Sequence, residues 1–148
     1  MRSLRLSLFV SVAVVTGALV GAPSRAAAPV GYRVIVNPVN PNTTVEHRFL
    51  AEGFLKKTTR WPDGSLIRPV DQGADAPARQ RFSEDVLGRS VAAVRSYWQQ
   101  MVFAGRNLPP PELDGDDDVV RYVLKNAGAL GYVSGAANVE RVRVVIVK

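Results

Sequence analysis

Gly53-Phe54-Leu55-Lys56-Lys57-Thr58-Thr59-Arg60-Trp61-Pro62-Asp63-Gly64 is the stretch on which the reading of this chain turns. It predicts the end of a helix, a basic, hydroxyl-rich loop, one tryptophan, and a Pro-Asp-Gly turn into a strand at 66–70. Gly64 can take positive φ at no steric cost, and Pro62 presets φ for the turn. Read alone, the segment is structural punctuation with a large aromatic plug. Its basic and hydroxyl side chains also make it a candidate binding loop.

Upstream, Tyr32-Arg33-Val34-Ile35-Val36 is a β-rich run ended by Asn37-Pro38-Val39-Asn40-Pro41, whose prolines cannot continue a ladder. Thr43 or Thr44 offers an N-cap for a helix over 45–54, with Val45, Phe49, Leu50 and Phe54 on one face. Downstream of the strand at 66–70, Asp75 offers the N-cap of a helix over 76–87, where Pro77 is tolerated in the first turn. Ser90 caps a helix over 91–103 that turns Val94, Trp98 and Met101 or Val102 inward. A stiff connector, Asn107-Leu108-Pro109-Pro110-Pro111, leads to the acidic run Asp114-Gly115-Asp116-Asp117-Asp118 and a helix over 119–126. A strand at 129–133, a turn at Ser134-Gly135 and a last strand at 142–147 complete the chain. The order β-α-β-α-α-α-β-β argues for an α/β layer with a partly parallel sheet.

The 148 residues suit one domain, and the cysteine count is zero. That excludes disulfides, thiolate metal sites, a cysteine nucleophile and a cysteine-borne lipid. Residues 1–28 show the order of a secretory signal peptide: Arg2 and Arg5, an apolar run over 6–20, then small residues. The run is shorter than the ~20 residues a bilayer-crossing helix needs, so a cleaved signal is expected rather than an anchor. Cleavage after Ala26 or Ala28 leaves a domain at 29–148 that works outside the cytoplasm. Removing Arg2, Arg5 and Arg25 from the 19 basic residues leaves 16 against 13 acids, a net charge of +3 instead of +6. No basic run is interleaved with aromatics, so nucleic acid is not an expected partner.

Catalytic constellations are thin: the sequence has no Gly-x-Ser-x-Gly elbow, no His-Glu-x-x-His and no phosphate-cradling Gly-x-x-x-x-Gly-Lys-Ser loop. His47, the one histidine, falls on the polar side of its helix and reads as solvated. Glu84 and Asp85 are adjacent on a helix and point different ways. The acidic run fails as a calcium loop, because the sixth and twelfth positions from Asp114 hold Val119 and Lys125. Its carboxylates suit a helix N-terminus instead. No enzyme, metal or cofactor is expected. Anion binding is easier to build, from a helix N-terminus completed by hydroxyls or arginines. Residues 72–79 have that architecture, and Ser134-Gly135 is a second candidate.

Phe54-Leu55-x-Lys57 followed by Trp61-Pro62-Asp63-Gly64 resembles the Phe-Leu-Gly-Lys … Trp-x-Asp segment of phosphate ABC-transporter substrate-binding proteins. The strand at 67–70, Phe82 and Trp98 follow in the family's order. Gly128-Ala129-Leu130-Gly131-Tyr132-Val133 is similar to its Gly-Ala-Ile-Gly-Tyr-Val, and Asn37 to Pro41 suits its strand exit. The resemblance covers residues 32–133. It implies an α/β fold of the periplasmic-binding-protein type (type 2), as a single lobe with a mixed, mostly parallel sheet flanked by helices. It also implies a non-catalytic exported protein whose partners are phosphate or another small oxyanion and a membrane transporter or other extracytoplasmic protein, with self-association open to it. Complete members have two lobes.

The resemblance breaks where the family holds its ligand. Aligning the family's Arg-x-x-x-Ser-Gly-Thr on Phe82 puts Gln72 at the arginine and Ala76, Pro77 and Ala78 at the serine, glycine and threonine. Asp75 adds a negative charge beside them. Burying a doubly charged anion without those donors costs several kcal/mol. The groups left as candidates for an anion are Lys56, Lys57, Thr58, Arg79, Arg81 and Ser134. The alternative is a non-catalytic interaction module that keeps the lobe and has lost the ligand.

Overall fold

Tyr32–Val36 forms β1, a strand buried on both faces, and the rest of the architecture is built around it. A computed structural model describes residues 31–148; the signal peptide expected at 1–28 lies outside them. Ten further elements follow: β2 (Thr44–Val45), α1 (His47–Phe54), β3 (Arg68–Pro69), β4 (Asp71–Gln72), α2 (Pro77–Asp85), α3 (Val91–Phe103), β5 (Glu112–Leu113), α4 (Asp116–Lys125), β6 (Ala129–Ser134) and β7 (Arg143–Val147). The main sheet has the order β2-β7-β1-β6-β3, and β4 pairs with β5 in a second ladder. Of the five ladders, β2–β7, β3–β6 and β4–β5 are parallel, while the longer β1–β6 and β1–β7 ladders are antiparallel. The sheet is therefore mixed, as expected.

The period-2 alternation of strands sorts the core into two layers. Val34 faces the side of Tyr132 and Val36 that of Leu130, and this face packs on Leu50 and Phe54 of α1 and Phe82 of α2. Ile35, Ala129 and Val133 occupy the other face, under Val119 and Val123 of α4. α3 lies on α2 and buries Val94 and Trp98. Both sheet edges, β2 and β3, are two residues long, which limits edge-to-edge pairing. Pro69 sits in the edge strand β3, where a missing N–H is tolerated.

The segments that carry the family resemblance are in mutual contact. Phe82 stacks on Tyr132 at 4.0 Å between centroids, and Phe54 lies 4.6 Å from Phe82. Trp61 is buried against Phe49 and donates its indole N–H to the Gly128 carbonyl at 3.2 Å. Gly128 is required by space, since a Cβ there would lie 1.9 Å from the Leu66 carbonyl oxygen. At Gly131 a Cβ would meet Val70 and Val119 at 2.9 and 3.0 Å, so this glycine lets α4 sit close on β6.

Several boundaries differ from expectation, each for a reason outside its own segment. Thr44 and Val45 join β7 as β2 in place of opening α1, so Glu46, without a side-chain cap bond, stands at the N-cap instead of Thr43 or Thr44. The strand expected at 66–70 continues to Gln72 but changes neighbours, pairing with β6 before Val70 and β5 after it. Ala76, not Asp75, is the N-cap of α2 and gives no side-chain bond. Ser90 does cap α3, accepting from the Ala93 N–H at 3.2 Å. α4 starts at Asp116, so the acidic residues occupy its first turn, where the macrodipole favours them.

The two kinds of glycine separate experimentally. Gly128→Ala should lower unfolding free energy by about 3 kcal/mol, because backbone must move. Gly64→Ala, at φ 85° with open space around it, should cost about 1 kcal/mol. Equal urea midpoints for the two variants would contradict the packing role of Gly128.

Candidate functional site

β4 runs directly into the loop that starts α2, and this junction gathers the buried polar side chains Asp71, Gln72 and Arg79. Asp71 and Arg79 are 4% and 2% exposed, and Gln72 is buried beside them. The Asp71 carboxylate pairs with Arg79 Nη1 and accepts from the Tyr132 hydroxyl and, at 2.9 Å, from the Gln72 N–H. Arg79 Nη1 also donates to the Gln72 carbonyl at 3.0 Å. The Gln72 amide donates to the Tyr132 carbonyl at 3.0 Å and to Asp116 Oδ1 at 3.1 Å. Asp116 in turn accepts from the Ser134 N–H at 2.8 Å and the Ser134 hydroxyl at 2.5 Å.

Burial raises the Asp71 carboxyl above the usual carboxylate range, against the lowering pull of Arg79 and of its hydrogen bonds. Burial, reinforced by the Asp71 charge, pushes the Tyr132 phenol well above its ordinary value. The Tyr132 hydroxyl donates to Asp71 Oδ1, tying β6 to β4. The network holds strand, loop and helix together. Among the described residues no group of three or more His, Cys, Asp or Glu could hold a metal ion.

The six groups chosen from the sequence fall into three places. Arg79 and Ser134 belong to the network just described, linked through Gln72 and Asp116. Arg79 turns inward to Asp71, and both donors of Ser134 are directed at Asp116. Arg81 is exposed and pairs with Asp85 one turn on at 2.9 Å, so it does not turn back to the start of α2. Lys56, Lys57 and Thr58 follow the C-terminus of α1, where the macrodipole is negative. The Lys57 and Thr58 N–H groups donate to the Glu52 carbonyl, and the Thr58 hydroxyl donates to Glu52 Oε2 at 3.0 Å. Lys56 takes φ 52°, and partial burial lowers its ammonium pKa. The structure therefore unites two of the six and leaves the other four apart. His47 is exposed, with its ring 2.8 Å from the Asp85 carbonyl.

Asp71, Tyr132, Asp116 and Glu112 were not singled out from the sequence as site residues, although they shape the junction. Tyr132 stood in a recognised motif, but its hydroxyl partner came from a strand whose face could not be read. Glu112 reaches to 3.7 Å from Arg79 Nη2 because β5 pairs with β4.

No protein-family model and no curated protein sequence matches the chain. Solved structures do match it. One from Clostridium perfringens, described as a phosphate ABC transporter substrate-binding protein with bound phosphate, shares 20% identity at TM-score 0.62, covering 79% of this chain and 44% of that one. An ABC-type phosphate transport receptor from Vibrio cholerae shares 20% at TM-score 0.61, covering 79% and 46%. A possible phosphate-binding protein from Planctomyces limnophilus shares 18% at TM-score 0.60, covering 80% and 41%. The resemblance read from the sequence is borne out as one of fold, and the chain spans less than half the length of these structures.

Breaking the buried pair from one side leaves an uncompensated charge. Arg79→Met or Asp71→Leu alone should cost about 3–5 kcal/mol, and the double variant far less than their sum. Additive losses in urea unfolding would mean that the two side chains do not act as a pair.

Proposed function

We propose that the chain is an exported, non-catalytic lobe of the solute-binding-protein type that does not capture free phosphate at the start of α2. The observation that carries this reading is the buried Asp71–Arg79 pair, inside a fold shared with phosphate-binding structures. A carboxylate of the chain already neutralises the cation nearest that helix start. A phosphate approaching it would meet Asp71 behind Arg79 and Glu112 and Asp116 to the sides. The loop offers no serine or threonine in compensation, since Ala76, Pro77 and Ala78 occupy its helix start. Like charges at such range in a partly dry site oppose binding.

Export rests on the charged, apolar and small-residue order of residues 1–28. No helix of the described residues is long and apolar enough to cross a membrane. The natural partners of such a lobe are a membrane transporter or another extracytoplasmic protein.

Titrating inorganic phosphate and sulfate to millimolar levels should leave the emission of Trp61 and Trp98 unchanged. A saturable response to phosphate would overturn the reading. Expressed from its full gene in a Gram-negative host, the protein should appear in the periplasmic fraction, starting at residue 27 or 29 by mass. A cytoplasmic, full-length product would remove export from the proposal.

A further inference from the structure

Arg79 has a second side. Its Nη1 is taken by Asp71 and Gln72, but its Nε is buried with no hydrogen-bond partner. Its Nη2 faces the Glu112 carboxylate at 3.7 Å, beyond hydrogen-bond length, and the Glu112 side chain is 48% exposed. Arg79, almost wholly buried behind Glu112, is among the residues lining a cleft of about 250 Å³ between α3 and the segment 109–112. Arg95 stands at the same cleft and makes no ion pair among the described residues. The remaining wall is largely carbon: Trp98, Val102, Phe103 and Pro109. Phe103 is 93% and Val102 48% exposed, so the apolar wall is open to solvent.

We propose that this cleft binds a small organic monocarboxylate with an apolar body, its carboxylate held by Arg79 and Arg95 in place of Glu112 and its body against Trp98 and Phe103. The charge balance selects a monoanion. Asp71 satisfies Arg79 from behind, and displacement of the half-exposed Glu112 leaves one cationic face toward the cleft. A dianion would be under-compensated there, and an apolar wall gives phosphate's remaining oxygens few donors. The apolar wall selects against a bare anion and rewards a hydrocarbon or aromatic body by area buried. Guanidinium groups suit the planar carboxylate, which they can meet with paired N–H donors. The cleft lies below the usual size range of drug-sized sites, so the occupant is a short acyl or aryl acid or the C-terminal residue of a peptide.

The test is a ¹H–¹⁵N titration of the intact protein with hexanoate, observing the two indole N–H signals. Assignment comes from Trp98→Phe. The Trp98 signal should shift saturably at millimolar hexanoate while that of Trp61, bonded to Gly128 on the other side of the core, stays still. Hexanol and inorganic phosphate should produce no comparable shift. Glu112→Gln should tighten hexanoate binding several-fold, and Arg95→Gln should weaken it about tenfold, as expected for losing one charge-assisted bond. A tripeptide ending in Leu-Phe, compared as free acid and amide, separates the two sources: tighter binding of the acid than of hexanoate identifies a peptide C-terminus. No Trp98 shift with any carboxylate, or equal shifts with hexanol, would overturn the proposal. A response to phosphate alone would overturn it too and return the question to oxyanion capture. Because both substitutions are at exposed side chains, unchanged circular dichroism is expected and keeps loss of binding distinct from loss of fold.

Discussion

Two opposite charges, Asp71 and Arg79, lie almost wholly out of water at the point where a strand becomes a helix. Removing each from water costs several kcal/mol, and only close pairing plus further hydrogen bonds recovers it. The chain supplies those bonds from four elements: the Tyr132 hydroxyl from β6, the Gln72 backbone from β4, the Arg79 side chain from α2 and Asp116 from α4 by way of the Gln72 amide. The position of each element is thereby tied to the others. β5 is also drawn in, since pairing with β4 sets Glu112 beside Arg79.

Much of the fold was legible because its main elements are periodic. β1 and α3 match their expected bounds, and β6 is one residue longer, because each carries a complete pattern within its own segment. β2 and β5 were not legible, since a two-residue strand has no period and exists only through its neighbour. The strand near 66–72 shows the same limit. It is two short strands, and which strand they join changes at Val70, which depends on where 112–113 lies.

The site was legible in its residue types and obscure in their directions. Arg79 was named from its place in the first turn of α2, yet a helical position does not say which charge waits behind it. Asp71 escaped notice because the strand was expected to stop at Val70. The acidic run was read as complementing a helix dipole, which it does, but Asp116 also reaches Ser134 and takes up the donors that made Ser134 attractive. In each instance the missing information was the partner's direction, and for Gln72–Asp116 and Asp71–Tyr132 that partner lies more than forty residues away.

The stretch around Trp61 illustrates why the scaffold and its chemistry can part company. Phe54, Phe82 and Tyr132 touch one another, and Trp61 is bonded to Gly128, so a change at any of them opens a cavity or forces a clash. The start of α2 has no such constraint toward that cluster, apart from Ala78, which is buried in the same apolar core. There, where the resembled family carries Ser-Gly-Thr, Ala76, Pro77 and Ala78 still start a helix: proline needs no N–H at its first turn, and alanine suits a buried one. The helix therefore survives the loss of hydroxyls without loss of packing, while an anion that depended on those hydroxyls does not. What neutralises Arg79 within the fold is Asp71. α3's exposed end is the place where apolar side chains meet Arg95, which makes no ion pair among the described residues.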